Sequence, residues 1–96
     1  MSDHMVTARR KARKERRELE LEYEIRDSGG ASILRTFESA TRDMIFAELV
    51  LAEQGYTITT ERGARQHPLA AVLRSSREQR LTALKLLNLE LPKGGR

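Results

Sequence analysis

The stretch ILRTFESATRDMIFAELVLAEQ, residues Ile33 to Gln54, predicts a long amphipathic helix around which the rest of the chain is organised. Its apolar residues recur at steps of four, three, four, three and four, which places them on one face of an α-helix. They are Ile33, Phe37, Ala40, Met44, Ala47 and Leu51, and Leu34, Thr41, Ile45, Leu49 and Ala52 form a second row. Because this apolar face is wide, we expect it to pack against a partner helix and against a second subunit.

Both ends of this helix have local signals. Ser28-Gly29-Gly30 predicts a break before the helix, and Ser32 can serve as its N-cap. Gly55 follows the last turn, where a residue in the left-handed conformation commonly ends a helix.

Composition limits the class of protein. The chain has 96 residues, of which 33% are charged and 4% aromatic, so few large side chains can fill the core of a monomer. It has no cysteine, which excludes disulfides and fits a reducing cytoplasm. The most apolar run, Met44 to Ala52, has nine residues against about 20 needed to cross a bilayer, so we expect no membrane association.

A basic arm begins the chain. No pattern is visible in Met1 to Val6, whereas helix formers without Gly or Pro predict a helix from Ala8 to Arg26. Its first half is polar on all sides, so we expect it to pack poorly and to become ordered on an anionic partner. A frayed, solvated terminus and an arm that binds DNA phosphates are both open interpretations. The candidate DNA-binding residues are Arg9, Arg10, Lys11, Arg13, Lys14, Arg16 and Arg17.

A connection and a last helix follow Gly55. The segment YTITTERGARQ has β character around a turn at Glu61-Arg62-Gly63, which predicts a short β-hairpin. Two roles are open for its threonines: they contact phosphate, or the segment simply connects two helices.

His67-Pro68 opens a helix with apolar positions from Leu69 to Leu87, and this helix should stop near Asn88. Its basic stripe, Arg74, Arg77 and Arg80, is either a solvated face or a surface for DNA or for a neighbouring subunit.

These elements predict an all-α protein with two parts. Residues 1–30 form the basic helical arm, and residues 31–96 form an antiparallel helical hairpin that oligomerises as a ring. Residues 1–18 and 56–96 have net charges of +4 and +5 around an acidic middle, which favours a polyanion partner or head-to-tail contact between subunits. The expected oligomerisation residues are Phe37, Met44, Ile45, Leu51, Leu73 and Leu84.

The second half of the chain resembles a known family. In GYTITTERGARQHPLAAVLRSSREQRLTALKLLNLELPKGGR, the order of Gly55, Gly63, His67-Pro68 and the ending LNLELP followed by Arg96 is similar to the C-terminal half of small terminase subunits of tailed bacteriophages. With the preceding helix, the resemblance covers about residues 33–96. Asn88 stands where the family has glycine, and one extra residue precedes Pro92. The arm shows no helix-turn-helix pattern.

The resemblance implies a non-enzymatic DNA-packaging protein in the cytoplasm of an infected bacterial host. Small terminases form rings, bind double-stranded viral DNA and present it to the terminase large subunit, which holds the ATPase and nuclease. The sequence agrees in having no GxxxxGK[ST] loop, and its histidines, His4 and His67, lack the spacing of a metal or catalytic site, so we expect no cofactor. A small dimeric DNA- or RNA-binding regulator and a purely structural oligomerisation module are the alternatives.

Overall fold

The protein is a three-helix arrangement with a protruding β-hairpin. A computed structural model describes residues 3–23, 25 and 28–90. Within them, the elements are α1 (Asp3–Tyr23), α2 (Ser28–Gln54), β1 (Thr57–Thr60), β2 (Gly63–Gln66) and α3 (Pro68–Glu90). The predicted helical character and the short β-hairpin between two helices are confirmed.

Helix α2 lies at the centre, and both other helices pack against it. His4 near the start of α1 contacts Glu53 at the end of α2, and Arg16 further along α1 contacts Glu38 in the first half of α2. Helix α3 likewise begins beside the end of α2, because the His67 ring bonds the Gln54 side chain at 2.9 Å. Both α1 and α3 therefore run antiparallel to α2.

The core follows the main apolar row of α2. Phe37, Ala40, Ala47 and Leu51 are buried, while Ile33 and Met44 are half-buried. Ala47 and Leu51 pack with Leu73 of α3, and Met44 and Leu69 pack against this cluster. The predicted periodicity therefore identifies the face of α2 that packs against α3.

The predicted start of α2 is wrong. The helix starts at Ser28, so Gly29 and Gly30 are helical and Ser32 is an interior residue rather than the N-cap. Glycine costs about 1 kcal/mol relative to alanine inside a helix, but Gly30 is buried, and tertiary packing can offset a cost of that size. The boundary expected between residues 30 and 31 accordingly falls inside a continuous helix.

Helix α1 differs from the prediction in its start and in its packing. It begins at Asp3 and ends at Tyr23, while Arg26, the predicted last residue, lies outside the described residues. The expectation that its first half packs poorly is wrong, because Ala8 and Ala12 are both 0% exposed. Two alanines four positions apart give the helix a narrow apolar contact, since small side chains allow two helix backbones to approach closely.

The connection between α2 and α3 shows the predicted local signals. Gly55 has a φ of 86° and donates its backbone N–H to the Leu51 carbonyl at 2.7 Å, which ends α2. In the antiparallel hairpin Thr57 pairs with Gln66, and Thr60 pairs with Gly63, whose φ is 109°.

Helix α3 begins at Pro68, as predicted. The backbone N–H of Leu69 donates to His67 Nδ1 at 3.0 Å, so His67 caps this helix. The helix reaches Glu90, two residues beyond the predicted stop at Asn88, a difference within the usual spread of helix boundaries. The terminase-like ending from residue 91 onwards lies outside the described residues.

Candidate nucleic-acid interface

Four cations share one face of α1. Arg10, Arg13, Lys14 and Arg17 are exposed, and their spacings of three, one and three place them on one side of the helix. Ala8 and Ala12 lie on the opposite side, against the body of the protein. We call the four cations the α1 stripe. Because packing holds the opposite face, the α1 stripe is presented by an ordered helix rather than by a frayed segment.

The other three basic residues of the arm have different surroundings. Arg9 and Lys11 are exposed at the flanks of the α1 stripe. Arg16 is half-buried and forms ion pairs with Glu20 at 2.6 Å and with Glu38 of α2 at 2.7 Å. Arg16 therefore links α1 to α2 within the chain.

Charge in this part of α1 is strongly one-sided. Residues 8–17 contain seven basic residues and one acid, Glu15, a net charge of +6. Glu15 is itself engaged, because its Oε1 accepts a hydrogen bond from Arg80 Nη2 at 2.7 Å. The outward face is consequently suited to a polyanion, because clustered Lys and Arg attract phosphate groups without regard to sequence.

The three arginines of the predicted α3 stripe do not share a face. Arg74 is exposed, and Arg77 is an exposed residue that pairs with Glu48 at 3.3 Å. Arg80 is half-buried: its Nε donates to Thr41 Oγ1 at 3.1 Å, and its guanidinium lies 5.1 Å from the centre of the Phe37 ring. Two steps of three residues rotate the position by about 120° around a helix with 3.6 residues per turn, which turns Arg80 towards α1 and α2.

Two basic residues that sequence reasoning missed lie beside α1. Arg35 and Arg42 of α2, together with Arg9 of α1, line a groove of about 240 Å³ whose other lining residues are Ala12, Glu38 and Ser39. We call this the arginine groove. The available signal was the spacing of residues 35, 38, 39 and 42, which places them on one side of α2, away from the main apolar row.

The expected oligomerisation residues divide into two groups. Phe37, Leu51 and Leu73 are at most 3% exposed in the single chain, so they have almost no surface to offer to a second copy. Met44, Ile45 and Leu84 are half-buried. Larger apolar side chains that are exposed include Val72 and Leu86 on α3.

A second groove, between α2 and α3, contains some of this apolar surface. It encloses about 570 Å³, and its lining includes Ile33 and Thr36 of α2 and Gln79, Thr82 and Leu86 of α3. Glu78 is the one charged residue among those that line it in the described part of the chain. We call it the α2/α3 groove.

Both histidines have contacts within the chain. His4 contacts Glu53, and His67 contacts Gln54 and the backbone of α3. Among residues 3–23, 25 and 28–90, no group of three or more His, Cys, Asp or Glu side chains is placed to hold a metal ion. Over the same ranges, no helix has the apolar length that a bilayer crossing needs.

Comparison of the chain with protein-family models, with curated proteins and with solved structures found no match. The fold and the surface define a class: a small helical protein that presents a cationic helix face, with a groove of low charge elsewhere on the same chain.

Proposed function

We propose that this protein is a DNA-packaging component similar to the small terminase subunits of tailed bacteriophages. In this proposal it binds the phosphate backbone of double-stranded DNA, assembles with copies of itself, and presents the DNA to a large subunit that supplies the ATPase and nuclease. The setting is the cytoplasm of an infected bacterial host. The observation that carries the DNA-binding part is the α1 stripe, four exposed cations on one face of an anchored helix.

The dimensions of the α1 stripe suit a DNA backbone. From residue 10 to residue 17 the helix rises by about 10 Å. Duplex DNA carries one negative charge per about 1.7 Å of its axis, so a length of this size contains roughly six phosphates. A single helix of this kind binds without sequence preference and weakly, with a Kd on the order of 10⁻⁴ to 10⁻⁶ M at physiological salt. Recognition of a packaging site would require several such helices to act together.

Assembly supplies that multiplicity. When several copies hold one duplex, the binding of one helix raises the local concentration of DNA at the next. Copies with a net charge of +4 repel each other, so their contact must use a face with few cations. The α2/α3 groove has no cation among its described lining residues and only one charged residue, Glu78. It is therefore suited to contact with a second copy of this chain.

DNA titration at several salt concentrations tests the function. In fluorescence anisotropy with a labelled duplex, we expect the α1 stripe variant R10Q/R13Q/K14Q/R17Q to bind more weakly, whatever the DNA sequence. The slope of log K against log salt should become shallower by about 0.9 for each phosphate that the variant no longer neutralises.

The controls remove one charge each from the last helix. Arg74→Gln and Arg77→Gln change exposed residues of α3, and we expect both to retain the wild-type salt slope. A wild-type protein that binds no duplex at low salt would disprove the proposal. An unchanged slope in the α1 stripe variant, with weaker binding in the α3 variants, would move the interface to α3.

The alternative of a small dimeric DNA- or RNA-binding regulator shares the α1 stripe and differs in the number of subunits. A purely structural module differs in not binding DNA. The mass of the intact assembly, measured by light scattering, separates the regulator from a ring, and the titration above separates the structural module.

A further inference from the structure

The arginine groove lies between α1 and α2. Its lining comes from Arg9 and Ala12 of α1 and from Arg35, Ser39 and Arg42 of α2, with Glu38 as its acid. Ala12 is fully buried at the helix contact and has no side chain beyond Cβ, which leaves space between the longer side chains around it. The groove therefore results from the same small-residue contact that anchors α1.

The charge of the groove is positive. Three arginines face one glutamate, which gives the lining a net charge of +2. The carboxylate of Glu38 is already paired with Arg16 at 2.7 Å, so its charge is partly neutralised by a residue outside the groove lining. An anion that enters the groove meets guanidinium groups more readily than a free carboxylate.

Arg35 and Arg42 are the principal candidate ligands. Arg35 is exposed, whereas Arg9 already has a contact within the chain. Arg42 contacts its neighbour Asp43 through Nε and Nη2, both at 3.1 Å. A guanidinium has five N–H donors, so this pair does not saturate it. Arginine is also the side chain best suited to bidentate binding of phosphate oxygens, and the Ser39 hydroxyl can donate a further hydrogen bond.

Size and composition decide which phosphate ligand fits. Sites for nucleotides and other drug-sized ligands usually enclose about 300–1,000 Å³ and are lined mainly by apolar and aromatic side chains. The arginine groove has about 240 Å³ and no aromatic side chain among its lining residues. It can hold a phosphodiester group at the surface of a polymer but offers no platform for a base.

The groove is continuous with the α1 stripe. Arg9 and Arg13 are four residues apart and so lie next to each other on the surface of α1. Arg13 belongs to the stripe, and Arg9 lines the groove. A backbone that follows the stripe therefore passes from Arg13 to Arg9 and so reaches the groove.

We propose that the arginine groove binds a backbone phosphate of the same DNA that the α1 stripe contacts, through Arg35 and Arg42. This inference rests on the proposed DNA-binding function and adds residues of α2 to the interface. It makes the DNA surface a composite of two packed helices, so correct docking of α1 on α2 becomes a condition for full affinity.

The test uses the full chain and a labelled 30-base-pair duplex of arbitrary sequence. We expect R35Q/R42Q to weaken binding by on the order of tenfold at low salt and to make the salt slope shallower by about 0.9, because the phosphate in the groove is no longer neutralised. The matched control, R62Q/R65Q, removes the same charge from the exposed hairpin and should retain the wild-type slope. Circular dichroism of both variants checks that they fold.

Each outcome has a defined meaning. Weaker binding by R35Q/R42Q but not by R62Q/R65Q supports the groove. Equal weakening in R35Q/R42Q and R62Q/R65Q would show that binding follows net charge alone. That result would overturn the proposed phosphate site in the groove. A wild-type slope in R35Q/R42Q beside a reduced slope in the α1 stripe variant would overturn the groove and leave the proposed function intact. If R35Q/R42Q changes the mass of the assembly but not DNA binding, the arginine groove binds a carboxylate of a neighbouring subunit instead of a phosphate. That result also overturns the proposed phosphate site. If the wild-type chain binds no duplex, both proposals fail.

Discussion

Arg80 of α3 donates a hydrogen bond from Nη2 to Glu15 Oε1 of α1 at 2.7 Å, which joins residues 65 positions apart. The same guanidinium bonds Thr41 and lies over the ring of Phe37, both on α2. One side chain of α3 therefore contacts both of the other helices. It stabilises the position of α1, and with it the orientation of the α1 stripe.

Removal of Arg80 should destabilise the fold more than removal of Glu15. The side chains of the ion pair between Glu15 and Arg80 are about one-third exposed to solvent. We therefore expect Glu15→Gln to lower the free energy of unfolding by less than about 1 kcal/mol. Arg80→Ala also removes the Thr41 bond and the Phe37 contact, which raises the expected destabilisation to about 1–3 kcal/mol. Urea denaturation measures both, with exposed Arg74→Ala as the control. Equal midpoints for the Arg80 and Arg74 variants would contradict this role.

Enlargement of Ala12 should separate α1 from α2. Ala12 is fully buried, so Ala12→Leu overpacks the helix contact at a cost of about 1–3 kcal/mol. Leucine and alanine are both good helix formers, so helix propensity does not explain such a loss of stability. Lys11→Leu, at the adjacent exposed position, is the matched control and should have little effect. Thermal unfolding distinguishes them, since about 1 kcal/mol corresponds to roughly 4–8 °C in a domain of this size. Equal melting temperatures would mean that α1 is not packed in solution.

The C-terminal end of α2 should depend on the backbone of Gly55 rather than on space around it. Nothing lies within 4 Å of a Cβ added at Gly55, but its φ is +86°, a conformation that costs a residue with a side chain about 1–2 kcal/mol. We expect Gly55→Ala to lower stability by that order and Gly55→Asn to lower it less, because asparagine tolerates this conformation better. Chemical denaturation of the two variants compares them. A full-stability alanine variant would contradict the left-handed helix end.

Self-association should depend on the α2/α3 groove. Thr82→Lys places a charge in the groove, while Leu81→Lys places the same charge one residue away, at a position 53% exposed and outside the groove lining. We expect the first variant to lower the mass of the assembly and the second to retain it, because burying an unpaired charge is costly. Light scattering at about 10 µM measures both masses, because copies that associate with a Kd of about 1 µM or lower are mostly assembled at that concentration. A folded wild-type monomer under these conditions would contradict self-association.

Local features of this fold follow from the sequence by itself. The period of 3.6 along residues 33–54 predicts the apolar face of α2, and Gly55 and Pro68 predict a helix end and a helix start. The β character of residues 57–66 around a glycine-containing turn predicts the hairpin. Each of these signals acts through the conformational preferences of neighbouring residues, so it needs no knowledge of distant contacts.

The tertiary structure alone decides which surfaces meet. It keeps Gly29 and Gly30 helical, and it uses Ala8 and Ala12 as the contact of a helix whose sequence is otherwise polar on all sides. It turns Arg80 from a predicted DNA-binding position towards Glu15, and it brings Arg35 and Arg42 of α2 beside Arg9. An arginine side chain is long enough either to extend into water or to contact a residue of another helix. An alanine is buried only where a second helix covers it. Periodicity groups residues on one face of a helix, but it does not encode which distant part of the chain covers that face.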